Sequence, residues 1–439
     1  MEKSGLERIL GAVTEVEPGE GPTALLLTLN VFLLLTAYYV IKPVREALIL
    51  VMPSGAEYKS YLGGAIAIAL LFAVPAYASA VKRFPRSKLV VGVTLFFASH
   101  LLIFYGLSRW EGATAYLGLF FFVWVGIFSL TSIAQFWSSA NEIYTRPEGD
   151  RLFPLIAIGS TAGAPLGAAV AERLFAQGLS PFVMMEIAAG ILLVHLSLYR
   201  VVGARMAAHA GRPVAEPIRA GNGFALVLKS PYLRLVALLL VLLNIVNTVG
   251  EYILGQAVVS HADARLALDA AFDKQAYIGT FYGHYFLLTN LAAIALQAFV
   301  VSRLVKRLGL RGAIYALPVV ALCAYGAAAT GAALGVLLYV KVAENSTDYS
   351  VMNTAKQLIW LPTSREEKYK AKQAIDTFFV RTGDMLAAGV VFLGTHFIHR
   401  GVGGFARLNM VFVLLACGVA WLLLGEYRRL AADRPAAGA

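Results

Sequence analysis

Apolar stretches of membrane-crossing length follow one another along this chain, and the polar breaks between them are mostly short. They run over about 24–50, 59–81, 89–108, 113–144, 152–176, 180–202, 231–258, 276–302, 312–331, 334–361, 373–397 and 405–426. A helix needs about 20 apolar residues to cross the roughly 30 Å hydrocarbon core of a bilayer. In lipid every backbone polar group must be satisfied internally, which leaves helices or closed barrels. Continuous apolar runs of this length specify helices. The expected fold is therefore an all-α polytopic membrane protein with about 12 transmembrane helices. A composition that is 59% hydrophobic and 14% charged belongs to the same class.

Lys and Arg exceed Asp and Glu, giving a net charge of +11. The breaks show where that excess lies. "KRFPRSK" (82–88) and "RLVKRLGLR" (303–311) each hold four basic residues and no acid, and the break from Arg200 to Lys229 holds five basic residues and one Glu. "SREEKYKAK" (364–372) is mixed but basic, whereas "ADARLALDAAFDK" (262–274) has three Asp against two basic residues. Loops rich in Lys and Arg stay in the cytoplasm. Both termini and the long central break are therefore expected there. This distribution accounts for the positive charge without a nucleic-acid partner. Cys323 and Cys417 lie in apolar runs and define neither a disulfide framework nor a metal site. The N-terminal "MEKSGLERILGAVTEVEPGEG" is acidic and lacks a basic leader region, so it reads as a short cytoplasmic pre-helix over 1–22.

The chain repeats itself. "VKRFPRSKLVVG" (81–92) and "VKRLGLRGAIYA" (305–316) are offset by 224 residues, as are Gly159 and Gly383. Two parallel six-helix halves follow, 23–203 and 230–427, joined by a cytoplasmic linker over 204–229 and ending in a tail over 428–439. This layout resembles that of major-facilitator transporters. Gly159, Gly163 and Gly167, four apart, form a small-residue stripe expected to serve close helix packing.

Charged residues inside the apolar runs need a reason, since each costs roughly 2.5–3.5 kcal/mol at the bilayer centre. Tyr38, Lys42 and Arg45 share one helical face, and Pro43 is expected to kink or break that helix. Thr131, Gln135, Ser138 and Glu142 share another face; so do Asn244, Asn247, Thr248 and Glu251, and then Tyr282, Tyr285 and Thr289. The 334–361 segment carries Lys341, Glu344, Asn345, Asp348 and Lys356, and the next carries Asp376, Arg381 and Asp384. Pairing along single helices (Lys42 with Glu46, Arg381 with Asp384) explains how such charges survive but not why several helices carry them. Convergence on a water-filled cavity with a polar ligand does. Lys42, Arg45, Lys356 and Arg381 suit a polyanion bearing an aromatic group, which Tyr38 could stack upon. Glu142, Glu251 and Asp348 join them as substrate-site candidates. Glu251, Asp348 and Asp384 are the candidates for ion coupling, and His284 is read as a packed polar residue.

These residues resemble the nucleotide transporter family, the ATP/ADP antiporters of intracellular bacteria and plastids and their relatives in other bacteria. The clearest match is "DYSVMNTAKQLIWLPTSREEKYKAKQAIDTFFVRTGD" (348–384), with Tyr349, Ser350, Lys356, Pro362, Lys370, Lys372 and the Ala374–Ile375–Asp376 run in the family pattern. "FWSSANEIYT" (136–145) and "DRLFPLIAIG" (150–159) are similar to two further family segments. The resemblance implies nucleotide exchange, with Lys42, Glu251 and Lys356 in the positions of family residues tied to transport. The chain departs at Val125, where the family has an acid, and at Asp384, where it has a lysine. The expectation is an alternating-access antiporter of nucleotides or related phosphorylated anions, not an enzyme, without cofactor or metal, monomeric in the bilayer. The alternatives are a proton-coupled transporter of another polar solute and a non-transporting membrane partner that kept the fold. No phosphate-binding loop accompanies the spans, so a nucleotide would be cargo and not fuel.

Overall fold

The computed structural model describes residues 3–207, 223–364 and 366–433. Most of the expected linker and the end of the tail lie outside the described residues. The described residues form helices in this order: α1 (Gly5–Leu10), α2 (Gly21–Leu50), α3 (Gly55–Arg83), α4 (Arg86–Leu107), α5 (Glu111–Ile143), α6 (Arg146–Ala176), α7 (Pro181–Ala207), α8 (Gly223–Lys229), α9 (Pro231–Leu268), α10 (Lys274–Leu296), α11 (Ser302–Ala329), α12 (Leu334–Thr347), α13 (Asn353–Leu358), α14 (Lys372–Ala374), α15 (Val380–His396) and α16 (Val402–Asp433). π-Helical turns interrupt them at Gln297–Val301, Asp348–Met352, Glu367–Ala371 and Ile375–Phe379.

Among the described residues, 10 helical stretches are long and apolar enough to cross a membrane. One of them, Lys274–Ala329, is two rods, because Gly309 breaks it with φ of 60°. The stretch 334–358 adds another rod, one that carries Lys341, Glu344, Asp348 and Lys356. The twelve expected spans are thus all helical, and the chain is an all-α polytopic membrane protein. The repeat also has a structural echo. Pro85, which precedes α4, and Gly309 occupy the same place in the two repeated segments, so each half turns at the same residue by a different device.

Two expectations are corrected. The break at 262–274 is shorter than expected, because α9 runs on to Leu268. Beyond the apolar run, Ala, Arg and Leu are good helix formers that need no lipid. Of the kink or break expected at Pro43 the break is absent, since α2 is continuous from Gly21 to Leu50. Membrane helices tolerate such a proline where neighbours re-satisfy the freed backbone groups.

The chain divides into two compact units that do not follow the sequence halves. Unit 1 comprises residues 1–52, 69–217 and 273–287, and unit 2 comprises 53–68, 218–272 and 288–439. Each unit thus contains a segment from the other half of the sequence. In unit 1 the glycine stripe of α6 lies on the backbone of α2. A Cβ on Gly159, Gly163 or Gly167 would stand 2.1, 2.4 or 2.4 Å from the carbonyl oxygens of Thr28, Phe32 and Thr36. The stripe is a packing surface, as expected. α10 meets α6 in the same way: Cβ atoms on Gly279 and Gly283 would fall 2.5 Å from the Phe175 ring and 2.7 Å from the Glu172 backbone. In unit 2, a Cβ on Gly383 of α15 would stand 3.0 Å from the Val241 carbonyl oxygen and the Asn244 side chain of α9. The core of unit 2 gathers Leu233, Leu239, Ile314, Met352 and Leu423. α1 is fixed by a capping box, with the Glu7 carboxylate accepting from the backbone N–H of Ser4 and of Gly19.

Candidate functional site

In unit 1 the Lys42 side chain is 8% exposed and enclosed by rings. Its ammonium lies 4.0 Å from the centroid of Phe286, 5.0 Å from Tyr39 and 5.9 Å from Tyr38. Such contacts are worth about 2 kcal/mol or more when desolvated. Phe286 comes from α10, within the segment that joins unit 1. Arg45 stacks on Phe122 at 4.5 Å and donates through Nε to the fully buried Glu46 at 3.0 Å. Tyr38 and Arg45 thus accompany Lys42, as the spacing implied, but the ion pair seen at Glu46 is with its chain neighbour Arg45. Nearby on α10, His284 Nδ1 lies 2.9 Å from the Glu172 carboxylate.

The expected polar face of α5 is divided. Gln135 is buried, whereas Ser138 and Glu142 are exposed. Gln135 and Ser139 instead line a small cavity with Asn30, Thr94 and His195, about 10 Å³ in volume, enough for about one water molecule. Asn30 is 12 residues from Lys42 on one helix, some 18 Å along the axis. Glu142 lies about a turn beyond Ser139, near the end of α5.

Unit 2 carries more charge. Glu251 of α9 accepts from Lys59 of α3 at 3.1 Å and from Asn345 at 3.2 Å, and lies 3.9 Å from Lys341. Lys341 also binds Glu344 at 3.0 Å, and the Tyr325 hydroxyl donates to Glu344 at 2.5 Å. Gly250 admits this group: a Cβ there would stand 2.0 Å from the Tyr325 hydroxyl and 2.7 Å from Lys341 Nζ. In the sequence Lys59 is only the first residue of the 59–81 run and Tyr325 one aromatic within the 312–331 run. An ionisable residue at the polar edge of an apolar run was the available signal.

Asp384 is held by three donors: Asn244 at 2.7 Å, Thr248 at 3.0 Å and Arg381 at 3.0 Å. Arg381 and Asp384 pair as their spacing predicts. Glu344 and Asp348, like charges one turn apart, are drawn to different partners, since Asp348 binds Lys356 at 3.1 Å. Beside that pair is a cavity of about 220 Å³, lined by Asn244, Asn247, Asp348, Lys356 and Asp376 among others. Asp348 opens one π-helical turn and Asp376 lies in another. Such turns insert an extra residue, re-aim the side chains around them and are frequent at functional sites.

The described residues thus define a polytopic helical membrane protein with ionic side chains gathered inside each unit and a polar cavity in unit 2. The solved structures it resembles are transporters. A bacterial homologue of the iron transporter ferroportin in an inward-facing state matches with TM-score 0.65 at 15% identity, over 92% of this chain and 98% of that one. The nucleoside transporter NupG matches with TM-score 0.65 at 13% identity, over 92% and 99%. At these identities the likeness shows the fold alone, and that fold is the major-facilitator one. By sequence, the chain is 25% identical over 292 residues to ADP,ATP carrier protein 1 of Chlamydia trachomatis, covering 57% of this chain and 53% of that protein. It is 23% identical over 291 residues to ADP,ATP carrier protein 1 of Chlamydia pneumoniae. The aligned region thus spans about half the length of these curated relatives. No family model matches the chain.

Proposed function

We propose that this chain exchanges nucleotides or related phosphorylated anions across a bacterial inner membrane by alternating access. Both termini and the linker lie in the cytoplasm in this reading, and the protein works as a monomer without cofactor or covalent chemistry. The observation that carries it is the similarity to ADP,ATP carriers on a transporter fold, in a chain that buries Lys42 and half-buries Arg45 within an apolar helix. Lys42 is the phosphate contact in this reading. An ammonium is a point-charge partner for a phosphate oxygen, and charge-assisted hydrogen bonds of this kind are among the strong ones.

One observation favours a second reading. Lys59, Lys341, Lys356 and Arg381 each bind a carboxylate within unit 2, as a non-transporting partner that kept the fold would also allow. The cavity beside Asp348 supports transport instead, because a purely structural ion pair needs no adjoining space. The test is uptake of a labelled nucleotide panel into proteoliposomes with and without internal nucleotide. Uptake that requires internal nucleotide and no proton gradient fits exchange. Uptake driven by a proton gradient alone points to proton coupling through Glu251, Asp348 or Asp384. No uptake of any phosphorylated compound leaves the non-transporting reading.

A further inference from the structure

The cavity of unit 2 holds about 220 Å³, below the roughly 300–1,000 Å³ of sites that enclose a drug-sized ligand. It admits one end of a nucleotide. Its charges decide which end. The ionic groups that line it are Asp348, Asp376 and Lys356, a net charge of −1. Lys356 is already engaged by Asp348 at 3.1 Å. Lys372, one turn before Asp376, donates to Gln357 at 2.9 Å and is not among the lining residues. Asn244 spends its amide N–H groups on Val380 and Asp384. Around the open space this leaves the Asp376 carboxylate and the amide of Asn247, beside a neutralised Lys356–Asp348 pair. A phosphate brought here would face two lining carboxylates, offset by Lys356 beside them and by Lys372 behind the lining. Hydroxyl and amino groups would meet acceptors.

We infer that this cavity takes the uncharged, donor-rich end of the substrate, the sugar hydroxyls and base amine of a nucleotide, and that Asp376 is a specificity residue within it. The inference rests on the exchange function proposed above. It assigns to the second half of the sequence a task other than phosphate capture, and to Lys356 the role of holding Asp348.

The experiment is counterflow of labelled ATP by the full chain in proteoliposomes, competed by unlabelled ATP and by inorganic tripolyphosphate, which has the phosphates without the nucleoside. The unmodified protein should prefer ATP to tripolyphosphate by tenfold or more. Asp376→Asn, which keeps the shape and removes the charge, should cut that preference roughly tenfold and leave inhibition by tripolyphosphate unchanged or stronger. Asn247→Ala, distant in sequence, should act in the same direction, so the result does not hang on one variant's folding. Equal competition by the two compounds, or parallel weakening of both in Asp376→Asn, would overturn the inference while leaving exchange intact. Absence of counterflow with any phosphorylated compound would remove the exchange function and this assignment with it.

Discussion

Lys59 and Glu251 offer the sharpest test of how the charges of unit 2 are held. Their side chains are 7% and 20% exposed, with 3.1 Å between nitrogen and oxygen. Breaking a buried pair from one side costs about 3–5 kcal/mol, because a charge is stranded. Glu251 keeps Asn345 at 3.2 Å and Lys341 at 3.9 Å, and it has some access to water. Lys59→Met should therefore cost less, about 2–3 kcal/mol. Glu251→Met removes the carboxylate that Lys59 binds, while Lys341 retains Glu344; about 2–3 kcal/mol is expected. The double variant removes both charges and restores apolar packing. It should cost less than the sum of the single changes by about 1.5 kcal/mol or more, within the range of coupled neighbours. The assay is unfolding of the purified protein in mixed micelles of a mild detergent with increasing sodium dodecyl sulfate, read for all four proteins. Additive single changes, with coupling below about 0.5 kcal/mol, would refute the pairing.

Further outcomes follow from the same geometry. Gly163→Ala should destabilise by about 1–3 kcal/mol, seen as a lower unfolding midpoint, and Gly163→Leu should yield no monodisperse protein; normal recovery of the leucine variant would remove the backbone contact between α2 and α6. Lys42→Ala should raise the half-saturating nucleotide concentration roughly 10- to 150-fold in protein that still folds, and unimpaired exchange by Lys42→Gln combined with Glu46→Gln would reduce Lys42 to a structural role. The Glu7 carboxylate, which lies outside the membrane, is held below its ordinary pKa first by the Ser4 backbone N–H and then by that of Gly19. Its contribution to docking α1 is thus complete above the unfolded carboxylate range, near pH 4.3, and is lost as pH falls through the lower folded value. Amide protection over 3–19, measured as exchange relative to the intrinsic rate at each pH, should fall on acidification to about pH 3, and Glu7→Gln should show the lower protection already at pH 7. Cysteines at Gly211 and Asp269 should label from different sides of the membrane; same-side labelling would sink the topology.

The spans could be read because burial in lipid is one-dimensional: a run of apolar residues either reaches across or does not. The glycine stripe could be read for a similar reason, since a missing side chain at four-residue spacing leaves a groove on one face. Partner choice between helices could not. Nothing in "AEYKSYLGG" says that Lys59 meets Glu251, because that contact depends on how α3 and α9 pack. Hydroxyls and amides occur on both sides of α5, so periodicity alone does not say that Ser139 and not Ser138 joins Gln135 at the small cavity. The π-helical turns at Asp348 and Asp376 left no trace in a pattern read at fixed pitch, and the cavity beside them depends on that change of pitch.

The exchange of segments between units bears on how the protein is made. Unit 1 includes residues 273–287, and Phe286, the ring nearest the Lys42 ammonium, is among them. As the chain leaves the ribosome, Lys42 enters the membrane more than two hundred residues ahead of that ring. Until α10 arrives, one wall of its enclosure is missing, and Gly279 and Gly283 have yet to seat on α6. The first half of the sequence therefore cannot complete its own unit during synthesis. If the chain is cut in the linker, the two pieces should need to meet in the same membrane before either passes inspection by its proteases.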